Sequence, residues 1–131
     1  DANVFLSAIL YEDEEGHMAK EFLGNIAEGK QTACTSVLTW DEIVWSVKKV
    51  LGIEEARKEG KKFIEFPNMK FVPADSIIIS DAQNLMEKYP LKPRDSIHAA
   101  TALSCGAAEI ISDDPDFDAV KELKRIPVAK M

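Results

Sequence analysis

The stretch Glu109-Ile110-Ile111-Ser112-Asp113-Asp114-Pro115-Asp116-Phe117-Asp118 decides the fold. It opens with a short apolar run that stops at a turn signal, which is the pattern of a buried strand. An acidic loop punctuated by Pro115 follows at once. In an open α/β sheet the ligand crevice lies beyond the carboxyl ends of the strands. Asp114 and Asp116 come directly after the strand and so fall in that crevice. Phe117 anchors the loop to something apolar, which argues against a merely solvated segment. A calcium loop beginning at Asp114 fails, because its sixth position is Ala119 rather than Gly and its twelfth is Arg125 rather than Glu.

Upstream, Pro93 suits the first turn of a helix that carries Ile97, Ala99, Ala100, Ala102 and Leu103 and stops at Gly106. Its small residues let it lie close to a sheet. Asp95 sits in its first turn, where an acid either complements the helix dipole or serves as a ligand. His98, one turn further on, is either a satisfied structural residue or one that orients a metal-bound group.

The remaining elements read in the same way. Val4 to Leu10 is a short apolar helix after the turn Asp1-Ala2-Asn3. Asp13-Glu14-Glu15 starts a helix whose Met18, Phe22, Leu23 and Ile26 recur at helical spacing before Gly29. Thr32 to Thr35 is a strand, and Ser36 is expected to cap a helix that takes Leu38, Ile43, Val44, Val47 and Leu51 to a core. Glu54 to Phe66 is a helix with Ala56, Phe63 and Ile64 on its inner side. Lys70-Phe71-Val72 is a strand closed by Pro73. Ser76 to Tyr89 is helical despite Ile77-Ile78-Ile79, and Ile126-Pro127-Val128 is a last strand.

Short strands alternating with helices imply a single domain over residues 1–131. Its expected architecture is a three-layer α/β/α sandwich around a central, mostly parallel, short-stranded sheet. An Asp before an apolar helix in such a domain ordinarily follows a first strand. No such strand stands ahead of Asp1, so a first strand is expected to be missing from the N-terminus.

Hydrophobic residues at 46% and charged residues at 30% place the chain among ordinary soluble domains. No apolar run approaches the roughly 20 residues that span a bilayer, and no signal peptide is visible, which points to the cytoplasm. Cys34 and Cys105 lack metal-site spacing and read as free, buried thiols of a reducing compartment. The net charge of -7 lowers the odds of nucleic-acid binding, although clustered metal ligands inflate the negative count. A basic middle (Lys48, Lys49, Lys61, Lys62) either grips phosphates or only solvates helix faces. Trp40 and Trp45 either fill core or face a partner.

Asp1, Glu42, Asp95, Asp114 and Asp116 each lie within or at the end of an apolar element. Glu42 is four beyond Leu38 and three before Trp45, so it shares their side of the helix or lies solvated at its edge. A carboxylate against a core is costly unless paired. Few cations lie nearby in sequence, so a divalent metal is the natural partner, and with it chemistry on phosphates.

Four pieces in this order resemble the PIN-domain family, and especially its small prokaryotic VapC-like toxin ribonucleases. They are Asp1-Ala2-Asn3-Val4-Phe5, Ser36-Val37-Leu38-Thr39-Trp40-Asp41-Glu42, Pro93-Arg94-Asp95-Ser96-Ile97-His98-Ala99-Ala100, and Ser112-Asp113-Asp114-Pro115-Asp116-Phe117. The resemblance implies metal ligation by Asp1, Glu42, Asp95 and Asp114, with Asp116 as a supporting acid and Asn3 and Ser112 holding the acids in place. Arg94 and His98 match no required position. It further implies a Mg²⁺- or Mn²⁺-dependent endoribonuclease, the toxin of a toxin–antitoxin pair, acting on RNA as a homodimer under a cognate antitoxin. A catalytically inactive scaffold binding RNA or protein is the alternative. A metal-dependent phosphatase is disfavoured, because an Asp-x-Asp nucleophile is absent: Asp1 is followed by Ala2 and Asn3.

Overall fold

Aspartate side chains set where three of the six helices begin. The computed structural model describes residues 1–131 in full. In chain order the elements are α1 (Ala2–Leu10), α2 (Glu14–Ala27), β1 (Ala33–Ser36), α3 (Thr39–Leu51), α4 (Ile53–Ile64), β2 (Met69–Val72), α5 (Ser76–Lys88), α6 (Pro93–Ser104), β3 (Glu109–Ile111) and β4 (Lys124–Ile126). Asp1 accepts from the Ala2 N–H, and Asp13 from the Gly16 N–H at 3.0 Å. Asp75 accepts from both Ile77 and Ile78 at 3.0 Å. Such caps contribute about 1 kcal/mol each. The double cap, together with burial of only Ile78 from the Ile77–Ile79 run, is why a β-branched segment is helical here.

Ser36 does not cap α3. It closes β1, because the β1–β2 ladder continues through the Val37 N–H to the Val72 carbonyl at 3.0 Å. Its hydroxyl accepts from the Leu38 N–H at 3.2 Å instead, and α3 starts at Thr39 without a side-chain cap. The buried row of α3 is Thr39, Ile43 and Val47; Leu51 lies on solvent where the chain reverses at Gly52, whose φ is 91°. Ile64, in the last turn of α4, is exposed as well. The last strand falls on Lys124–Ile126 rather than 126–128, since the Val128 N–H is taken by Asp113 Oδ1 at 2.9 Å. Neither tryptophan is core: Trp40 is 42% exposed and Trp45 57%. The Trp40 ring does lie over Gly60, where a Cβ would stand 2.9 Å from its Nε1, so Gly60 permits the close approach of α3 and α4.

Both strand pairs are parallel. β1 runs with β2 in the register Ala33–Met69 to Ser36–Val72, and β3 with β4 in the register Glu109–Lys124 to Ile111–Ile126. The strands therefore form two pairs rather than one hydrogen-bonded sheet. Helix α6 packs against both β1 and β3. The larger core joins α5 and α6 to β3 through Ile78, Leu85, Ala99, Ala100, Ile110 and Phe117. A second core, between α1, α3 and α4, centres on Phe5, Ile43, Val47 and Phe63, with the Phe5 and Phe63 rings edge to face at 5.1 Å. The α/β layering thus follows the expected sandwich. No helix is long and apolar enough to cross a membrane. Cys34 and Cys105 are free but half-buried rather than buried.

Phe117 is wholly buried and fixes the acidic loop to the larger core. Phe117→Ala is expected to cost about 3–5 kcal/mol in urea unfolding; a loss below about 1 kcal/mol would show that the loop is not anchored there. At the far end of that core, Lys88 and the buried Tyr89 both donate to Glu122, Tyr89 Oη at 2.6 Å, and hold its carboxyl down at about 2. A depressed acid stabilises the fold above its unfolded value, about 4.3, and that stability goes as pH falls through about 2. Glu122→Gln is therefore expected to be less stable than the parent at neutral pH, with the difference closing toward pH about 2 in urea titrations run across the acid limb.

Candidate metal centre

Strand ends and helix starts bring five acids to one end of the molecule, in two groups. The first is Asp1, Glu42 and His98, each offering a ligand atom within 4.8 Å of the others. Asp1 heads α1, Glu42 lies in the first turn of α3, and His98 sits one turn into α6. The His98 side chain is 3% exposed and contacts Glu42 Oε1 through Nε2. An ionised Glu42 only accepts, so the imidazole N–H is the donor. Asp1 uses both carboxylate oxygens, one on the Ala2 N–H and one on the Ser112 hydroxyl.

Ser112 is fully buried just past β3, and its hydroxyl is saturated. It donates to Asp1 Oδ2 and accepts from Asn3 Nδ2 at 3.4 Å and from the Asp114 N–H at 3.1 Å. One donor and two lone pairs are all a serine has. This hydroxyl links the first group to the second.

The second group is Asp95, Asp114 and Asp116, again with ligand oxygens within 4.8 Å of one another. Asp95 Oδ2 is buried and has no hydrogen-bond partner. Burial pushes the Asp95 carboxyl above its ordinary range; the Asp114 charge adds to this, Lys92 opposes it, Asp116 adds, and His98 opposes. Asp114 Oδ1 accepts from the Asp116 N–H at 2.9 Å, an Asx turn that starts the short 3-10 turn Pro115–Ala119. Lys92 Nζ is the one cation at this group, 2.7 Å from Asp116 Oδ2 and 3.5 Å from Asp114 Oδ2. These two carboxylates raise its pKa, Asp116 foremost.

An unpartnered buried carboxylate oxygen beside two further acids is the donor set that a hard divalent cation satisfies. A divalent cation fits the chemistry of the second group. In the first group Asp1 and Glu42 each already have a protein partner, so it offers a neighbouring position.

A sequence profile described as the PIN domain matches residues 1–123. The chain belongs to the PIN-domain family. Solved structures share the fold. A DNA-bound VapBC2 from Rickettsia felis aligns with a TM-score of 0.74 at 14% identity, covering 97% of this chain and 95% of that one. A DNA-bound VapBC from Salmonella typhimurium aligns at 0.73 and 18%, covering 98% and 95%. Mycobacterium tuberculosis VapC20, described as a sarcin–ricin loop cleaving toxin, aligns at 0.73 and 13%, covering 92% of each chain. A comparison with curated protein sequences finds no match.

The other acids of the loop in this PIN domain hold structure. Asp113 receives the Val128 N–H, and Asp118 makes a two-point pair with Arg125, Nε at 2.8 Å and Nη2 at 3.0 Å. Arg125 Nη1 also donates to the Ser112 carbonyl at 3.2 Å. In the basic middle, Lys62 pairs with Glu59 at 2.6 Å on α4 and Lys61 with Glu65 at 3.9 Å at its C-terminal cap, as on a solvated helix face. Sequence reading gave no weight to Lys92 and treated the acids as short of cations; its one signal is a position just before Pro93. The contact of His98 with Glu42 was equally hidden, because the two lie 56 residues apart.

Asp95→Asn removes a carboxylate that burial and its neighbours disfavour. Without divalent metal the variant is expected to melt at or above the parent temperature, by up to a few degrees. With excess Mn²⁺ the parent is expected to gain about 2.7 kcal/mol at a hundred times its Kd, and the variant far less. Equal Mn²⁺ shifts in the two proteins would remove Asp95 from the site.

Proposed function

We propose that this chain is a Mg²⁺- or Mn²⁺-dependent endoribonuclease and the toxin half of a toxin–antitoxin pair. The observation that carries the reading is the buried, unpartnered Asp95 Oδ2 beside Asp114 and Asp116, at the carboxyl ends of parallel strands in a PIN-domain chain. The solved structures it resembles include VapBC complexes and a toxin described as cleaving the sarcin–ricin loop. The three aspartates would hold the cation, and Asp1 and Glu42 would line its other side.

A divalent cation held there supplies Lewis-acid stabilisation of charge on the phosphate and eases loss of a proton from a nearby water. The chain's own residues do the rest. Ser112 keeps Asp1 and the Asp114 backbone in fixed relation, and His98 keeps Glu42 from turning to solvent. Asp116, paired with Lys92 and at 34% the more exposed of the two loop aspartates, would also orient water on the substrate side. Lys92 neutralises the acids before substrate arrives and is placed to follow a phosphate as it enters.

Exposed apolar side chains on α3 and α4, among them Trp45, Val50, Leu51, Ile53 and Ile64, support a protein partner, either an antitoxin or a second copy. The reading as an inactive scaffold draws on one observation: Lys92 already pairs with two of the three aspartates, so the group is partly neutral without a metal.

Cleavage of a mixed RNA pool separates the two readings. The nuclease is expected to cut with Mg²⁺ or Mn²⁺ and to stop in chelator, and Asp114→Asn combined with Glu42→Gln is expected to lower the rate at least about a hundredfold. Activity that survives both chelator and the double substitution would sink the assignment; absence of cleavage and of any metal-dependent melting shift would favour the scaffold.

A further inference from the structure

We propose that Lys92 is a latch on the metal centre. Its ammonium and a divalent cation exclude one another from Asp114 and Asp116, so metal and phosphodiester each bind more tightly once the other is present. The phosphodiester half of this rests on the nuclease reading; the competition between lysine and metal does not. Asp114 spends Oδ1 on the Asp116 N–H at 2.9 Å. Its Oδ2 is the oxygen left for a cation, and Lys92 Nζ stands 3.5 Å from it. The same ammonium is 2.7 Å from Asp116 Oδ2. Lys92 thus takes up the two loop aspartates but makes no ion pair with the third: Asp95 Oδ2 is buried and keeps no partner.

That arrangement makes the lysine an incomplete substitute for a metal. An ammonium is a single charge on a flexible stem. A hard divalent cation takes several oxygens at once, buried ones included. A cation held by all three aspartates would share two of its ligands with the ammonium, and like charges that close repel. The Lys92 side chain is 68% exposed, and its ion pairs are with these two acids alone. It can therefore leave without disturbing the fold. Arg94, two residues on, does not stand in for it, because Asp41 of α3 holds its guanidinium at 3.2 Å.

Two ligands are coupled through this one side chain. A metal that arrives must displace the ammonium, so its apparent affinity is reduced by the fraction of molecules in which the latch is open. A released ammonium at the rim of the site is a charged donor for phosphate. A phosphodiester oxygen that accepts from it holds the latch open, and the metal then meets the acids without a competitor. Linkage makes the effect reciprocal, so bound metal strengthens phosphodiester binding by the same factor. The chain alone holds metal weakly, and the full centre assembles when nucleic acid is present.

The test measures Mn²⁺ binding through the paramagnetic resonance signal of the free ion, in the parent, Lys92→Met and Arg94→Met. Anisotropy of a fluorescent single-stranded DNA, with Mn²⁺ and with chelator, reads phosphodiester binding in the same proteins. Lys92→Met is expected to bind Mn²⁺ at least about tenfold more tightly than the parent. Arg94→Met is expected to change by less than about threefold, as loss of a cation engaged elsewhere. Mn²⁺ should strengthen DNA binding more in the parent than in Lys92→Met, again by about tenfold. Equal or weaker Mn²⁺ binding by Lys92→Met overturns the proposal. An equal gain in Arg94→Met does so too, since it would be an effect of net charge alone, as does an equal metal effect on DNA binding in the parent and Lys92→Met. Each of these results leaves the nuclease reading standing wherever RNA cleavage still needs metal. Absence of Mn²⁺ binding in the parent and Lys92→Met alike would sink both.

Discussion

The arrangement of the site depends on one buried hydroxyl. Ser112 stands where β3 gives way to the acidic loop, and its oxygen meets Asp1, Asn3 and the backbone of Asp114 together. These partners come from opposite ends of the chain. With its single proton directed at Asp1, the hydroxyl has no spare valence, so its geometry is over-determined rather than adjustable. Arg125 reinforces the same point from β4 by holding the Ser112 carbonyl and the Asp118 carboxylate at once. The loop that bears Asp114 and Asp116 is thus fixed at its start by Ser112, in its middle by buried Phe117, and at its end by Arg125. Acids on so rigid a loop cannot move apart to relieve their repulsion.

That rigidity explains how charge is distributed. In the first group Asp1 is held by the Ala2 N–H and the Ser112 hydroxyl, and Glu42 is tied to a histidine that is itself almost wholly buried. In the second group the aspartates share one flexible ammonium, and Asp95 keeps an oxygen without any partner. Buried acceptors are seldom left so. The protein has spent its rigid hydrogen bonds on placing the acids and has left their charge to an exposed lysine. A long, exposed side chain can be displaced by a cation or drawn off by a phosphate; a buried arginine pair could not.

Much of this was legible in the sequence, for identifiable reasons. The order of elements was readable because Gly29, Gly52 and Gly106 end helices and Asp13 and Pro93 begin them, which are local signals. The loop after β3 was readable because a strand followed by acids has few other uses. What escaped was what depends on distance. Ser36 looked like a cap because capping is local, whereas its place in β1 is set by a partner strand 36 residues away. Leu51 and Ile64 looked internal, and the tryptophans stayed open between core and partner surface, because helical periodicity does not reveal where a facing element stops. Lys92 and the His98–Glu42 contact escaped because a side-chain partner from another element leaves no periodic mark.

The two strand pairs and the site are parts of one problem. Parallel strands carry their functional groups at one end, so anything that fixes the spacing between β1 and β3 also fixes the distance from Glu42, just beyond β1, to Asp114, just beyond β3. In the chain as it stands, α6 spans that distance, since it touches both strands and supplies Asp95 and His98 to both groups. Its small residues Ala99, Ala100 and Ala102 are what bring it close enough to do so.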